Sequence, residues 1–223
     1  MANRAYVSFW SRDYSEDLML DRFERLLETV PLSATRPGFT RFVVRAISSA
    51  ETPIIEHDLR GVTVSAPDII ALAREHRNAD AAYEVEGYWD LWQRNPEDGS
   101  WQRGPEPLLL TCHGEQYDDG IATDFGHFLA DLGFEHFYTG HGGLLGTHGS
   151  RSAPADPVEA EFLAWMTDDA HLHEYYDKTR ENILRLTNWV RAVEKALPVE
   201  RTRLWSEGEE NLEARLDEIL AVH

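Results

Sequence analysis

The sequence contains a single cysteine and no long apolar run. Cys112 excludes an intramolecular disulfide and a cysteine-rich zinc site, because each of these needs several cysteines. It ends the run from Leu108 to Cys112, where a thiol more often packs as a small apolar side chain than acts as a nucleophile. No run is long enough to span a bilayer, and the N-terminus shows no secretory signal. We therefore expect a protein of the reducing cytoplasm that does not enter membranes.

Positive charge is also scarce. The chain has 21 Lys and Arg against 40 Asp and Glu, a formal net charge of −19. Such a surface repels nucleic acid and anionic lipid, so neither is expected as a partner. The acidity has two interpretations: a well-solvated surface, or an inhibitor that binds a basic partner protein through complementary charge.

Familiar catalytic signatures are missing as well. The sequence has no G-x-S-x-G elbow, no H-E-x-x-H and no EF-hand loop. A glycine-rich loop at residues 139–150 lacks the Lys and Ser/Thr of a nucleotide P-loop. Its backbone amides could still form an anion cradle or a lid, for which the candidate residues are Gly140, His141, Gly142 and Gly143. The alternative is a plain connection between two parts of the fold.

The residues that are present predict strands in the first 140 positions. Apolar residues make up 42% and aromatics 11% of the 223 residues, which is the composition of a folding chain. Alternating or β-branched segments predict strands, and segments with caps and helical spacing predict helices. The strands are expected at residues 5–10, 39–47 and 82–93, with one strand or a hairpin within 53–64, and the helices at residues 15–30 and 66–75.

Beyond the glycine-rich loop the pattern becomes helical. Apolar residues recur at helical spacing over residues 157–197, and a cap within 167–171 predicts two helices that meet there. A last helix is expected at residues 209–222. The predicted fold is therefore α+β: a mostly antiparallel sheet from the first 140 residues with helices on one face, followed by a C-terminal helical segment. We expect one domain over residues 1–223, in which the helical part, 151–223, packs on the sheet-forming part, 1–140.

Two further strands, at residues 108–115 and 124–138, are expected to form an antiparallel hairpin. Both place apolar side chains at even positions, so their odd positions share the opposite face. In the tightest register His113 lies opposite His127, with Glu115 nearby and Asp131 further along the same face. Cross-strand Cβ atoms lie about 5 Å apart, which is close enough for two imidazoles to share a metal ion.

This polar face supplies the candidate site. The candidate catalytic residues are His113, Glu115, His127 and Asp131, and the candidate ligands of a divalent metal are His113, His127 and Glu115. A neighbouring strand at residues 82–93 would add Glu84, Glu86 and Asp90. The competing interpretation is an ordinary polar sheet face that meets solvent.

Two functions follow from these observations. The first is a non-catalytic interaction protein of inhibitor or immunity type with a basic protein partner. The alternative is a small metal-assisted or acid/base hydrolase that uses the His and carboxylate group. The sequence leaves open whether the protein is an enzyme, whether it binds a divalent metal and whether it forms a homo-oligomer.

Overall fold

A computed structural model describes residues 3–95, 98–141, 145 and 157–221 of the chain. Within these residues, one antiparallel sheet is formed by β1 (Arg4–Ser11), β2 (Phe39–Ala46), β3 (Ile55–Asp58), β4 (Ala81–Arg94), β5 (Trp101–His113), β6 (Phe128–Phe134) and β7 (Val199–Ser206). The strand order is β3-β2-β4-β5-β6-β1-β7. The prediction of an α+β fold with a mostly antiparallel sheet is confirmed.

The helices of the described residues are α1 (Glu16–Glu28), α2 (Ala66–Arg74), α3 (Ala122–Phe125), α4 (His136–Thr139), α5 (Pro157–Trp165), α6 (Asp169–Ala196) and α7 (Leu212–Ala221). Two starts follow local sequence rules. Ser65 and Asp68 form a capping box at α2, and the Asp168 carboxylate accepts the first free N–H groups of α6. The break predicted within residues 167–171 is therefore confirmed.

The core lies on the inner face of the sheet, where alternate positions in the central part of β4 and β5 are apolar. The strand β4 contributes the fully buried Tyr83, Val85 and Trp89, and β5 contributes Leu108 and Leu110, each 1% exposed. The helix α1 covers this face with the buried side chains Met19, Leu20, Phe23, Leu26 and Leu27. Each large apolar side chain buried in this way stabilises the fold by roughly 1.5–3 kcal/mol.

The strand β7 is the element that sequence reasoning missed. It lies in the segment predicted to be helical and pairs antiparallel with β1, with Val7 opposite Leu204 and Phe9 opposite Thr202. Charged side chains occupy much of β7, so its sequence carries a weak strand pattern. Long-range pairing with β1 decides its conformation.

The predicted hairpin strands have different ends in the structure. The strand β5 begins at Trp101, although the sequence predicted a start near residue 108, and β6 is shorter than the predicted 124–138. Gly126 lies two residues before β6 and Gly133 is its next-to-last residue; their φ values of 98° and 88°, which most residues avoid, interrupt the regular extended backbone near both ends of the strand. The short helices α3 and α4 form just outside them.

Asn182 completes the exposed edge of β4. The strand β2 ends its pairing at Phe39 opposite Gly87. Beyond a single bridge between Leu32 and Trp89, the last residues of β4 have no neighbouring strand on that side among the described residues. There, the buried Asn182 side chain accepts from Trp92 N–H at 2.8 Å and donates to Trp92 C=O at 3.1 Å. It also donates to Phe137 C=O at 3.0 Å. One side chain of α6 thus satisfies the backbone groups that a further strand would bind.

Replacing this amide tests its role. We expect Asn182→Ala to lower the free energy of unfolding by about 2–3 kcal/mol, because three partly buried backbone groups of Trp92 and Phe137 lose their partner. Asn188→Ala removes an exposed amide from the same helix and should change stability by less than about 0.5 kcal/mol. Urea unfolding of both variants measures the difference, and equal stabilities would contradict this role for Asn182.

Candidate functional site

The structure places His113 beside His127, in the register expected from the sequence. Cys112 pairs with Phe128 at the end of the β5 and β6 ladder, and one step beyond it His113 N–H donates to His127 C=O at 2.9 Å. Both side chains therefore lie at the same end of the sheet, where β5 ends and β6 begins.

Each imidazole of this histidine pair has its own structural partners. The buried His113 ring, 5% exposed, donates from Nδ1 to Gly126 C=O at 2.9 Å. The His127 ring accepts the Ser11 N–H at Nδ1, also at 2.9 Å, and stacks on Tyr14 with 3.9 Å between ring centroids. Burial lowers the pKa of His113, and burial together with the nearby Arg22 and His113 lowers the pKa of His127 to about 4. Both rings are therefore neutral near pH 7.

Tyr14 connects the histidine pair to the core. Its hydroxyl donates to His113 C=O at 2.7 Å and lies 3.3 Å from Cys112 Sγ. Burial raises the pKa of Tyr14 well above its usual value and that of the Cys112 thiol to about 12. A thiol held protonated inside the core is not an available nucleophile, so the expected packing role of Cys112 is confirmed.

The two candidate carboxylates are bound elsewhere. Glu115 is exposed and accepts Glu16 N–H at the start of α1, at 3.2 Å. Asp131 forms a two-bond ion pair with Arg4, at 2.7 and 2.8 Å, and accepts Gly133 N–H. It is four residues beyond His127, which along a strand is about 13 Å.

The additional carboxylates of β4 also have partners: Glu84 pairs with Arg45, Glu86 with Arg41, and Asp90 accepts Ala34 N–H. In the described part of the chain, no three His, Cys, Asp or Glu residues are grouped so that they could hold a metal ion. The structure thus brings together the two histidines of the candidate site but leaves its acids apart. Catalysis and metal binding by these residues stay predictions.

Two of the candidate ligand-binding residues of the glycine-rich loop, Gly142 and Gly143, lie outside the described residues. The structure describes the other two, Gly140 and His141. The His141 ring stacks on His136 at 4.2 Å, and its backbone N–H donates to the Tyr175 hydroxyl at 3.1 Å. Burial lowers the pKa of both histidines, that of His136 to about 4. Gly140, at φ 80°, approaches Leu145 so closely that an added Cβ would lie 2.7 Å from that side chain. A role of this loop in ligand binding stays a prediction.

A feature that sequence reasoning missed lies beyond the same strand ends. Several connections meet there: Ile47 N–H donates to Asp80 C=O, Asp118 N–H donates to Ile47 C=O, and Ser49 donates to the Asp118 carboxylate. Their carboxylates, with those of the turn before α1 and of its first turn, form a surface that we call the acidic end. It consists of Asp13, Glu16, Asp17, Asp80, Glu115, Asp118, Asp119 and Asp124.

The backbone of the acidic end is strained. In the described part of the chain, the non-glycine residues with positive φ are Asp13 (48°), Ile47 (71°), Asp118 (50°) and Asp119 (56°), and all four lie at this end. Asp tolerates this conformation, but Ile47 is β-branched, and its left-handed backbone conformation costs roughly 1–2 kcal/mol of stability. Its side chain is 63% exposed, so burial does not explain the choice of residue. Strain that packing does not require is often found at functional surfaces.

Exposed apolar side chains accompany these acids. Leu18 in the first turn of α1, Ile47 and Ile54 in the connection after β2, and Phe125 in α3 are exposed large apolar residues. The acidic end therefore combines uncompensated negative charge with apolar groups that could enter a partner. No sequence motif marks it, because its acids come from three separate parts of the chain and Ile47 and Ile54 come from a fourth connection.

The titration of His127 gives a testable consequence. Its pKa is about 4 in the fold and about 6.5 when unfolded, so the unfolded chain takes up this proton first as the pH falls. Stability should therefore decrease between about pH 6.5 and pH 4, and protonation at Nδ1 would also break the bond from Ser11 N–H. Because the ring is partly exposed, the contribution of His127 to this slope should stay below the one-proton limit of about 1.4 kcal/mol per pH unit.

Urea unfolding at several pH values measures this dependence. His127→Gln keeps an acceptor for Ser11 N–H but does not titrate, so its stability should depend less on pH than that of the wild type. His173→Gln changes an exposed histidine of α6 and serves as the control. Identical pH profiles for His127→Gln and the wild type would contradict the assignment.

Comparison with protein-family models, with curated proteins and with solved structures found no match. None of the helices in the described part of the chain is both long enough and apolar enough to cross a membrane.

Proposed function

We propose that this protein is a non-catalytic binding protein of inhibitor or immunity type, which recognises a basic partner protein through its acidic end. The observation that carries the proposal is the meeting of separate acidic connections at one end of the sheet, together with exposed apolar side chains. Charge complementarity would bring the partner to this surface, and apolar contacts would hold it there.

The charges at the acidic end are only partly compensated within the chain. Arg77 pairs with Asp17 at 3.1 Å and with Glu16 at 3.9 Å, and Arg12 adjoins Asp13. The carboxylates of the connection between β5 and β6 form no ion pair with any described residue; these are Glu115, Asp118, Asp119 and Asp124. Lys and Arg side chains of a partner would compensate them, most strongly at low ionic strength.

Ile47 is suited to act as the apolar anchor of this contact. It projects from a connection that is fixed on both sides by hydrogen bonds to Asp80 and Asp118. A side chain held in place before binding loses little conformational entropy when the complex forms. The strained backbone is thus the cost of presenting a large apolar group among the acids.

The remaining features of the proposal follow from the charge balance. A homo-oligomer built on this surface would bring like charges together, so the partner is a different chain with a basic surface. Nucleic acid is disfavoured for the same reason. A reducing cytoplasmic location fits the single buried thiol of Cys112.

The alternative, a metal-assisted or acid/base hydrolase, receives less support. His113 and His127 are adjacent and neutral, as metal ligands must be, but neither Glu115 nor Asp131 joins them. Metal analysis of the purified protein tests this alternative directly. A stoichiometric divalent metal that is lost in His113→Ala would favour the hydrolase.

Neutralising the acidic end tests the proposed function. The triple variant Glu115→Gln, Asp118→Asn, Asp119→Asn removes three uncompensated charges and should weaken partner binding by about 10- to 100-fold, since each exposed pair contributes up to about 1 kcal/mol. The matched control is Glu174→Gln, Glu210→Gln, Asp217→Asn, which removes equal charge from exposed positions outside the acidic end. Partners captured from the source cells are identified by mass spectrometry, purified and titrated against each variant.

The expected result is a basic protein that binds the wild type and the control alike and binds the acidic-end variant weakly, with an affinity that falls as salt increases. Equal binding by all three chains would place the interface elsewhere. A captured partner without a basic surface would contradict the proposal.

Strain at Ile47 predicts opposite effects on stability and binding. Ile47→Gly removes the side chain from a left-handed position, so the free energy of unfolding should rise by about 0.5–1 kcal/mol while partner binding weakens. Ile54→Gly is the matched control, since Ile54 is exposed but has an ordinary negative φ; it should lower stability by about 0.5–1 kcal/mol. Thermal unfolding and titration with the partner measure both effects, and an Ile47→Gly variant that binds normally would exclude Ile47 as the anchor.

A further inference from the structure

A groove of about 460 Å³ lies between the end of α1 and the helix α6. The helix α1 starts at the acidic end and stops before Thr29, which lines this groove, so about 20 Å of helix separates the two places. The volume is within the range of small-molecule sites. The lining residues are Thr29, Pro31, Arg103, Glu181, Leu184, Arg185, Asn188, Trp189 and Ala192.

Arg185 is the distinctive polar group of the groove. Its guanidinium is half-buried and makes one hydrogen bond to the described part of the chain, from Nη2 to Pro31 C=O at 2.9 Å. Its Nε is buried without an acceptor. Asp90 acts on Arg185 through its negative charge but forms no salt bridge with it. The Oδ2 atom of Asp90 accepts Ala34 N–H, and its Oδ1 is buried without a hydrogen-bond partner. The positive charge of Arg185 therefore lacks a direct anionic partner.

Around Arg185 the positively charged side chains outnumber the carboxylates, whereas in the whole chain the carboxylates are in excess. Glu181 accepts from Arg103 at 2.8 Å and from Lys178 at 3.4 Å, so this one carboxylate is shared by two cations. With Arg185 and Asp90, three cations stand against two carboxylates. Elsewhere the acids prevail, since the chain has 40 Asp and Glu against 21 Lys and Arg. A local excess of positive charge in a strongly acidic protein favours an anion at this place.

Apolar side chains form another part of the lining, which also includes the polar Thr29 and Asn188. Trp189 is buried in the wall and its indole N–H donates to the Thr29 hydroxyl at 3.1 Å, so the ring presents no free donor. Leu184 is 48% exposed at the groove, beside Ala192 and Pro31. A ligand that fits must therefore carry an apolar group next to its anion.

We propose that this groove binds a carboxylate attached to a compact apolar group, with the carboxylate on Arg185 and the apolar group against Leu184 and Trp189. Guanidinium and carboxylate match in shape and charge, and their hydrogen bonds are about twice as strong as those between neutral groups. Such a carboxylate occurs in small carboxylic acids and at the C-terminus of a peptide. The site is independent of the proposed function at the acidic end.

Titration calorimetry and ligand-detected NMR with defined probes test the site on the full chain. The probes are N-acetyl-L-leucine, its uncharged analogue N-acetyl-L-leucinamide, and an acetylated tetrapeptide that ends in leucine. We expect the acid to bind at least about tenfold more tightly than the amide, because only the acid offers an anion to Arg185. Tighter binding of the tetrapeptide identifies a chain terminus as the source, and tighter binding of the free acid identifies a small molecule.

Two variants locate the binding. Arg185→Gln should weaken binding of N-acetyl-L-leucine at least about tenfold, whereas Arg191→Gln removes the same charge from an exposed position of α6 outside the groove and should leave binding unchanged. Leu184→Glu changes an exposed side chain and places a carboxylate at the mouth of the groove, so it should also abolish binding even if Arg185→Gln fails to fold. Equal affinity for acid and amide, or unchanged binding by Leu184→Glu, would overturn the proposal.

Discussion

The pairing of β4 with β5 is the interaction on which the rest of the structure depends. These two strands stay in register from Ala82 opposite His113 to Arg94 opposite Trp101, and β2 and β6 add to their two sides. Their inner face carries the fully buried Trp89, which contacts Trp189 of α6 at 5.9 Å between ring centroids. One long hairpin therefore fixes the core, the edge that Asn182 completes, and the strand ends from which the acidic connections leave.

Burial divides the titratable groups of this protein into two kinds. At the strand ends His113 and His127 are kept neutral by desolvation, and their ring nitrogens bind backbone groups. Several carboxylates on the sheet are paired with arginines: Asp131 with Arg4, Glu84 with Arg45 and Glu86 with Arg41. The unpaired carboxylates of the acidic end lie on the connections, where water solvates them and a partner can reach them. In this fold the sheet fixes the positions of the connections, and the connections carry the charged surface that we assign to recognition.

Strain and apolar exposure at the same connections have one physical interpretation. A β-branched residue in the left-handed region, such as Ile47, persists only when neighbouring hydrogen bonds hold the backbone there. The groove near Arg185 shows the corresponding feature for charge, a guanidinium held partly out of water without a direct anionic partner. Both features cost stability in the isolated chain, and a ligand or partner that binds at either place would stabilise the folded state by mass action.

The sequence by itself determined the α+β class, most helices and the neighbouring positions of His113 and His127. These follow from local rules, since side chains alternate along a strand and a capping residue such as Ser65 binds N–H groups within its own first turn. The tertiary structure decided what depends on distant partners. Residues 199–206 form a strand because they pair with the distant β1. The fold also pairs Asp131 with Arg4, brings four connections together at the acidic end and places Arg185 at an open groove. Such contacts join residues far apart in the chain, so no local pattern encodes them.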